Sequence, residues 1–98
     1  MYHVILHPKA IAEFDDAYEW YGKESKELGK RFSEAVLSEL NTIQNNPEIF
    51  QTKRGDFREA ILEEFPYVIV YILNKKTNTI KISAIYHTSR HPRKKYRR

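Results

Sequence analysis

Apolar residues along this chain change their spacing twice, and the changes divide it into elements. Residues 2–7, "YHVILH", are short and rich in β-branched and aromatic side chains, which marks a strand. Pro8 then suits the first turn of a helix. From Lys9 to Lys23 the apolar positions are Ile11, Phe14, Ala17, Tyr18 and Tyr21, the three-and-four spacing of an amphipathic helix. Glu13, Asp15, Asp16 and Glu19 lie off that stripe, and Trp20 sits beside it, packed at an edge or partly exposed. The stretch from Gly22 to Gly29 is read as a break, with Ser25 capping the next helix. A second stripe follows at Leu28, Phe32, Ala35, Val36, Leu40 and Ile43, and "NNP" at 45–47 stops it.

Beyond Pro47 the period shortens. "IFQT" is a brief strand, "KRGD" a turn, and "FREAILEEF" a strand over residues 57–65, which Pro66 interrupts. "YVIVYIL" at 67–73 is continuously apolar, as expected of a central strand. "NKKTNT" is a hairpin loop. In residues 80–87 alternation puts Ile80, Ile82, Ala84 and Tyr86 on one face, and Lys81, Ser83, Ile85 and His87 on the other. Strands gathered after helices predict an α+β domain. Its parts are an N-terminal strand, a helical hairpin and an antiparallel β-meander, in the order β-α-α-β-β-β with one further short strand. The first strand joins the sheet at an edge or beside the last strand.

Ninety-eight residues form one domain, 1–98, and 41% hydrophobic content supports a globular core. The absence of cysteine excludes disulfides, thiolate metal sites and thiol nucleophiles. No apolar run reaches the roughly 18 residues of a membrane helix, and the N-terminus lacks a signal-peptide pattern. A cytoplasmic protein with no membrane partner is expected.

Charge changes the picture more than composition does. The ending "HTSRHPRKKYRR" carries Arg90, Arg93, Lys94, Lys95, Arg97 and Arg98 and no acid. Set against a net charge of +4, these six leave the body of the chain mildly acidic. Such asymmetry points to an anionic partner, either nucleic acid or an acidic protein segment, or else to a solvated end that aids solubility. Residues 92–98 are read as a basic tail that is mobile until it meets a partner.

Little else carries chemistry. Three glycines make no phosphate-binding loop. His3 and His7 are four apart on a strand, and His87 and His91 four apart beside Pro92, so neither pair has metal-ligand spacing. No metal and no cofactor is expected. What remains is Arg58, His87 and Arg90, with the strand tyrosines Tyr67, Tyr71 and Tyr86. Such groups can cleave RNA without a metal: histidine transfers protons near neutrality, arginine stabilises phosphorane charge, and Glu59, Glu63 or Glu64 acts as base. Equally, a strand-end histidine, strand tyrosines and a paired arginine are ordinary structural residues.

"FREAILEEFPYVIVYIL" followed by "ISAIYHTSRHPRKKY" resembles the RelE/ParE superfamily of bacterial toxins, the toxic halves of type II toxin–antitoxin modules. A strand arginine, then "FPYxIxY", then a final strand entering "HTSRxP" is its characteristic order, and "YHVILHPKAIAEFDDAYEWY" is similar to its opening strand and helix. The resemblance spans nearly the whole chain and implies the fold read above. It also implies an antitoxin that wraps the sheet and helix pair and holds the toxin inactive. Here that partner is expected to be acidic and partly disordered, and to meet Trp20, Tyr21, Tyr67, Tyr71 and the basic end.

The resemblance implies two targets. RelE-like members are ribosome-dependent mRNA endonucleases (mRNA interferases), for which Arg58, His87 and Arg90 are the catalytic candidates. ParE-like members, including plasmid stabilisation proteins, inhibit DNA gyrase. Some nuclease members follow the histidine with a terminal tyrosine; here Thr88 follows and eleven residues remain after His87. The "HTSRHPRKK" ending is closer to the ParE-like side, so a gyrase inhibitor is the first expectation and the endonuclease the second. Arg90, Arg93, Lys94, Lys95, Arg97 and Arg98 then contact the target or nucleic acid. A non-toxic RNA- or protein-binding module on the same fold is the third.

Overall fold

The computed structural model describes residues 1–89. The tail at 92–98, together with Arg90, lies outside the described residues. In chain order the elements are β1 (His3–Leu6), α1 (Pro8–Glu24), α2 (Lys26–Asn45), β2 (Thr52–Arg54), β3 (Phe57–Ile61), β4 (Tyr67–Asn74) and β5 (Thr79–His87). They form the α+β arrangement expected: one five-stranded sheet in the order β1-β5-β4-β3-β2, with the helix pair packed on it. β1 is both at an edge and beside the last strand. It runs parallel to β5, so the sheet is mixed, while β2 to β5 make the antiparallel meander.

The helices begin and end on short polar side chains. His7 caps α1, its Nδ1 accepting from the Lys9 N–H at 3.0 Å, and Pro8 occupies the first turn. The break expected across residues 22–29 is one residue long. Ser25 ends α1, donating its backbone N–H to the Tyr21 carbonyl, and starts α2, its Oγ accepting from the Leu28 N–H at 3.0 Å. Gly22 and Gly29 are therefore helical, and they stand where the two helices touch. A Cβ on Gly29 would lie 3.1 Å from the Gly22 Cα.

The buried stripe of α1 is also turned from its expected line. Ala10 and Ala17 are its buried residues, whereas Ile11 and Tyr18 are each 46% exposed. Small side chains at the contact let α1 lie close to the sheet, and the larger ones flank it. The α2 stripe falls as read, with Phe32, Val36 and Ile43 fully buried and Leu28, Ala35 and Leu40 packed around them.

Three features of the sheet depart from simple alternation. β2 starts at Thr52, later than "IFQT" implies, and the turn beyond it is set by Gly55 at φ 56°. β3 stops at Ile61, because Leu62 and Phe65 both turn into the core and leave Glu63 and Glu64 outside. β5 carries a bulge: Val70 pairs with Ala84 but Tyr71 with Ile82, so Ser83 is an extra residue. The bulge moves every later side chain to the other face. Ile80, Ile82 and Ile85 join the core under the helices, while Ala84 and Tyr86 join Val68, Val70 and Phe57 on the far face. The expected grouping of Ile80, Ile82, Ala84 and Tyr86 is corrected accordingly.

Candidate functional site

At the end of the sheet where β5 finishes and β4 begins, aromatic side chains converge. Tyr21 of α1 lies with its ring 5.2 Å from that of Phe32, 4.9 Å from Phe65 and 6.3 Å from Tyr67. The His87 ring stands edge-on to Tyr67 at 5.1 Å. Its Nδ1 accepts from the Ser89 N–H at 3.2 Å, so the proton of the neutral ring belongs on Nε2. The Ser89 hydroxyl also lies 2.9 Å from Nδ1. Thr88 anchors the strand end by donating its N–H to the Pro66 carbonyl at 2.8 Å. His87 is thus half-buried and oriented by its own chain.

Arg58 belongs to the other end of the sheet. It pairs with Tyr71 across β3 and β4, and both point to the helix side. Its guanidinium donates to the Phe50 carbonyl at 2.6 Å, and the Tyr71 hydroxyl donates to the Pro47 carbonyl at 2.8 Å. Together they fasten the connection between α2 and β2. Burial pushes the Tyr71 hydroxyl up to about 12, opposed by the Arg58 charge and reinforced by Glu39. Tyr71 accordingly stays neutral near pH 7 and acts as a donor.

His87 stands opposite Tyr67, four residues along β4 from Tyr71 and two strands from Arg58. Strand geometry puts the Cα atoms of Arg58 and His87 about 16 Å apart. Arg58 and His87 are therefore not brought together, and Arg90 lies outside the described residues. Of the candidate bases, Glu64 pairs with Arg31 at 2.6 Å, and Glu59 is on the far face. Glu63 is exposed near Glu39, whose carboxyl is pushed up by burial and then by the Glu63 charge. Among the described residues, no group of three His, Cys, Asp or Glu side chains is placed to hold a metal ion. No helix described is long and apolar enough to cross a membrane.

Of the residues expected to meet an antitoxin, Trp20 is 63% exposed and Tyr21 half-buried. Tyr67 and Tyr71 are different: they are 4% and 0% exposed, filling the core beneath the helices. They support the surface rather than form it, and that part of the expectation is corrected. A residue that sequence reasoning missed is Glu13. β1 covers β5 only as far as Ile82, leaving the edge beyond it without a neighbouring strand. Glu13 Oε1 accepts from the Ile85 N–H there, at 3.0 Å. Glu13 and Trp20, seven residues apart, share a flank of α1. Nothing in a helix acid's spacing predicts that it will cap a strand edge. A surface cavity of about 440 Å³ lies on the hairpin, lined by Tyr18, Glu19, Gly22, Lys23, Lys26 and Gly29.

The fold is thus a helical hairpin on a mixed sheet, with an exposed tryptophan on the flank beside an incompletely covered strand edge. The model of the family described as the ParE toxin of the type II toxin–antitoxin system, parDE, matches residues 4–92. The chain belongs to that family. A solved structure described as the chromosomal ParDE TA system from P. aeruginosa contains a chain of similar fold. Its TM-score is 0.77 at 17% identity, covering 91% of this chain and 98% of that one. No curated protein sequence matches significantly.

Proposed function

We propose that this protein is the growth-inhibiting half of a toxin–antitoxin pair, that a cognate acidic antitoxin neutralises it in the cytoplasm, and that its target is DNA gyrase. Family membership over residues 4–92 supports the toxin role. The separation of Arg58 from His87 is the observation that favours gyrase over message cleavage. General acid–base catalysis needs its groups within hydrogen-bond reach of one phosphate, and Arg58, whose Cα lies about 16 Å diagonally across the sheet from that of His87, is turned toward the segment before β2 instead. Arg58 is moreover engaged with the Phe50 carbonyl. The antitoxin's place is the α1 flank around Trp20 and Tyr21. An exposed aromatic there is a natural anchor for a partner that orders on binding.

Two assays on the purified chain test this reading. Gyrase supercoiling should be inhibited, and message programmed on translating ribosomes should remain uncut. Cuts at A-site codons, with supercoiling unaffected, would replace gyrase with the ribosome as the target.

A further inference from the structure

We propose that the turn end of the sheet, opposite the end where β5 finishes, binds the phosphate backbone of a DNA duplex. Two turns meet there. The end of β2, leading into the β2–β3 turn, presents Lys53 and Arg54, and the β4–β5 turn presents Lys75 and Lys76; all four are exposed. Lys81 adds a half-buried cation on the far face of β5. Their positions follow from the ladder: Arg54 pairs with Phe57, Phe57 with Ile72, and Ile72 with Lys81, one row across four strands. Three strand spacings put Arg54 and Lys81 about 14 Å apart. A duplex carries one charge per about 1.7 Å of axis, so the cations at the two ends of this row reach separate phosphates.

The turns are held in shape before any ligand arrives. Gly55 at φ 56° closes one. In the other, Asn78 adopts φ 52°, and the Asn74 side-chain oxygen accepts from the Lys76 N–H at 3.0 Å and the Thr77 N–H at 3.3 Å. Among the described residues, acids near these turns include Glu48, which pairs with Lys75 at 3.1 Å in a largely exposed contact, and Asp56 and Glu59. The helix hairpin, by contrast, is acid-rich over Glu13, Asp15, Asp16 and Glu19. The molecule therefore has a polarity that orients an approaching polyanion toward the turns.

A phosphate backbone fits better than an acidic peptide. A peptide gains specificity from pockets beside its charges, and among the described residues the cavities of about 440, 300 and 260 Å³ lie along the helices and the residues following β3. A backbone requires only spaced cations on projecting turns. The surface lies about 25 Å from the point where β5 finishes, because β5 runs nine residues from Thr79 to His87. The inference stands apart from the gyrase reading, and the supercoiling result does not bear on it.

Fluorescence anisotropy of a labelled short DNA duplex with the full chain tests it, read between about 50 and 200 mM salt. Substituting Lys53→Gln, Lys75→Gln, Lys76→Gln and Lys81→Gln together should weaken binding tenfold or more. It should also lower the slope of log K against log salt by about 3 to 4, at 0.9 per lost contact. The single variant Lys76→Glu, at an exposed turn position, should lower the slope by about 1 and keeps the test open should the quadruple variant misfold. Neutralising Arg93, Lys94 and Lys95 should leave the effect of the turn substitutions in place. A folded quadruple variant with the wild-type slope would overturn the proposal. So would loss of polyglutamate binding with duplex binding unchanged, which would assign the surface to an acidic polypeptide.

Discussion

Gly22 and Gly29 touch backbone to backbone, and the contact is asymmetric. A Cβ on Gly29 would meet the Gly22 Cα at 3.1 Å and N at 3.2 Å, whereas a Cβ on Gly22 would meet nothing within 4 Å. Both residues are helical, so alanine at either gains roughly 0.5–1 kcal/mol of helix propensity. At Gly22 that gain should appear, raising the unfolding midpoint by a few degrees. At Gly29 the contacting atoms are backbone and yield little, so overpacking of about 1–3 kcal/mol outweighs the gain. Gly29→Ala should therefore lower the midpoint. Thermal unfolding of the two variants side by side checks this, and equal shifts would contradict the contact.

Tyr71 and Arg58 pin the segment after α2 from below, and Tyr71 gives that clamp a pH dependence. The phenol rises from its ordinary 10.0 to about 12 in the folded chain, because burial disfavours phenolate. The unfolded chain releases this proton at lower pH than the native one. The contribution is thus fully present below pH 10 and is lost as pH climbs toward 12. Tyr71→Phe should remove the bond to the Pro47 carbonyl, costing about 1–2 kcal/mol at neutral pH. It should also flatten the alkaline fall in stability relative to the parent chain. Chemical denaturation across that window measures both effects; parallel curves would show that Tyr71 does not titrate as described.

Trp20 is 63% exposed on the flank where Glu13 caps the edge of β5. If the antitoxin anchors there, Trp20→Ser removes an aromatic hot spot and should weaken the complex by at least tenfold. The unfolding midpoint should barely move, since little of the indole is buried. Titration calorimetry with the cognate antitoxin, alongside a melting curve, separates the two effects. Undiminished affinity would place the antitoxin elsewhere.

The helix pair, the central strand and the meander were legible because each follows a period that packing enforces. Phe32, Val36 and Ile43 point inward for the reason a 3.6-residue repeat requires. What escaped that logic was local. Ser83 inserts one residue into β5, and no period foretells an insertion that exchanges the faces of Ala84 and Ile85. Gly22 and Gly29 look like loop residues, yet they serve a close helix contact, because composition alone does not separate a glycine needed for its φ from one needed for its size. For the site, exposure of Trp20 was readable from its place beside the stripe. The burial of Tyr67 and Tyr71 was not, because a continuous apolar strand does not reveal which face the helices cover.

His87 gives the sharpest separation between the two possible targets. Its ring packs edge-on to Tyr67 and is held by Ser89, so His87→Ala removes a half-buried side chain at the rim of the aromatic cluster. A gyrase inhibitor should keep most of its activity, since no proton transfer is asked of the imidazole. A message endonuclease that used His87 as acid or base should lose about a hundredfold or more. The variant's growth inhibition in cells, supercoiling inhibition and ribosome-programmed cleavage should be measured together. Retained growth arrest and retained supercoiling inhibition are expected. Growth arrest abolished in a folded variant, together with message cleavage that the parent chain shows and the variant loses, would assign the imidazole a chemical role and return the protein to the nuclease branch.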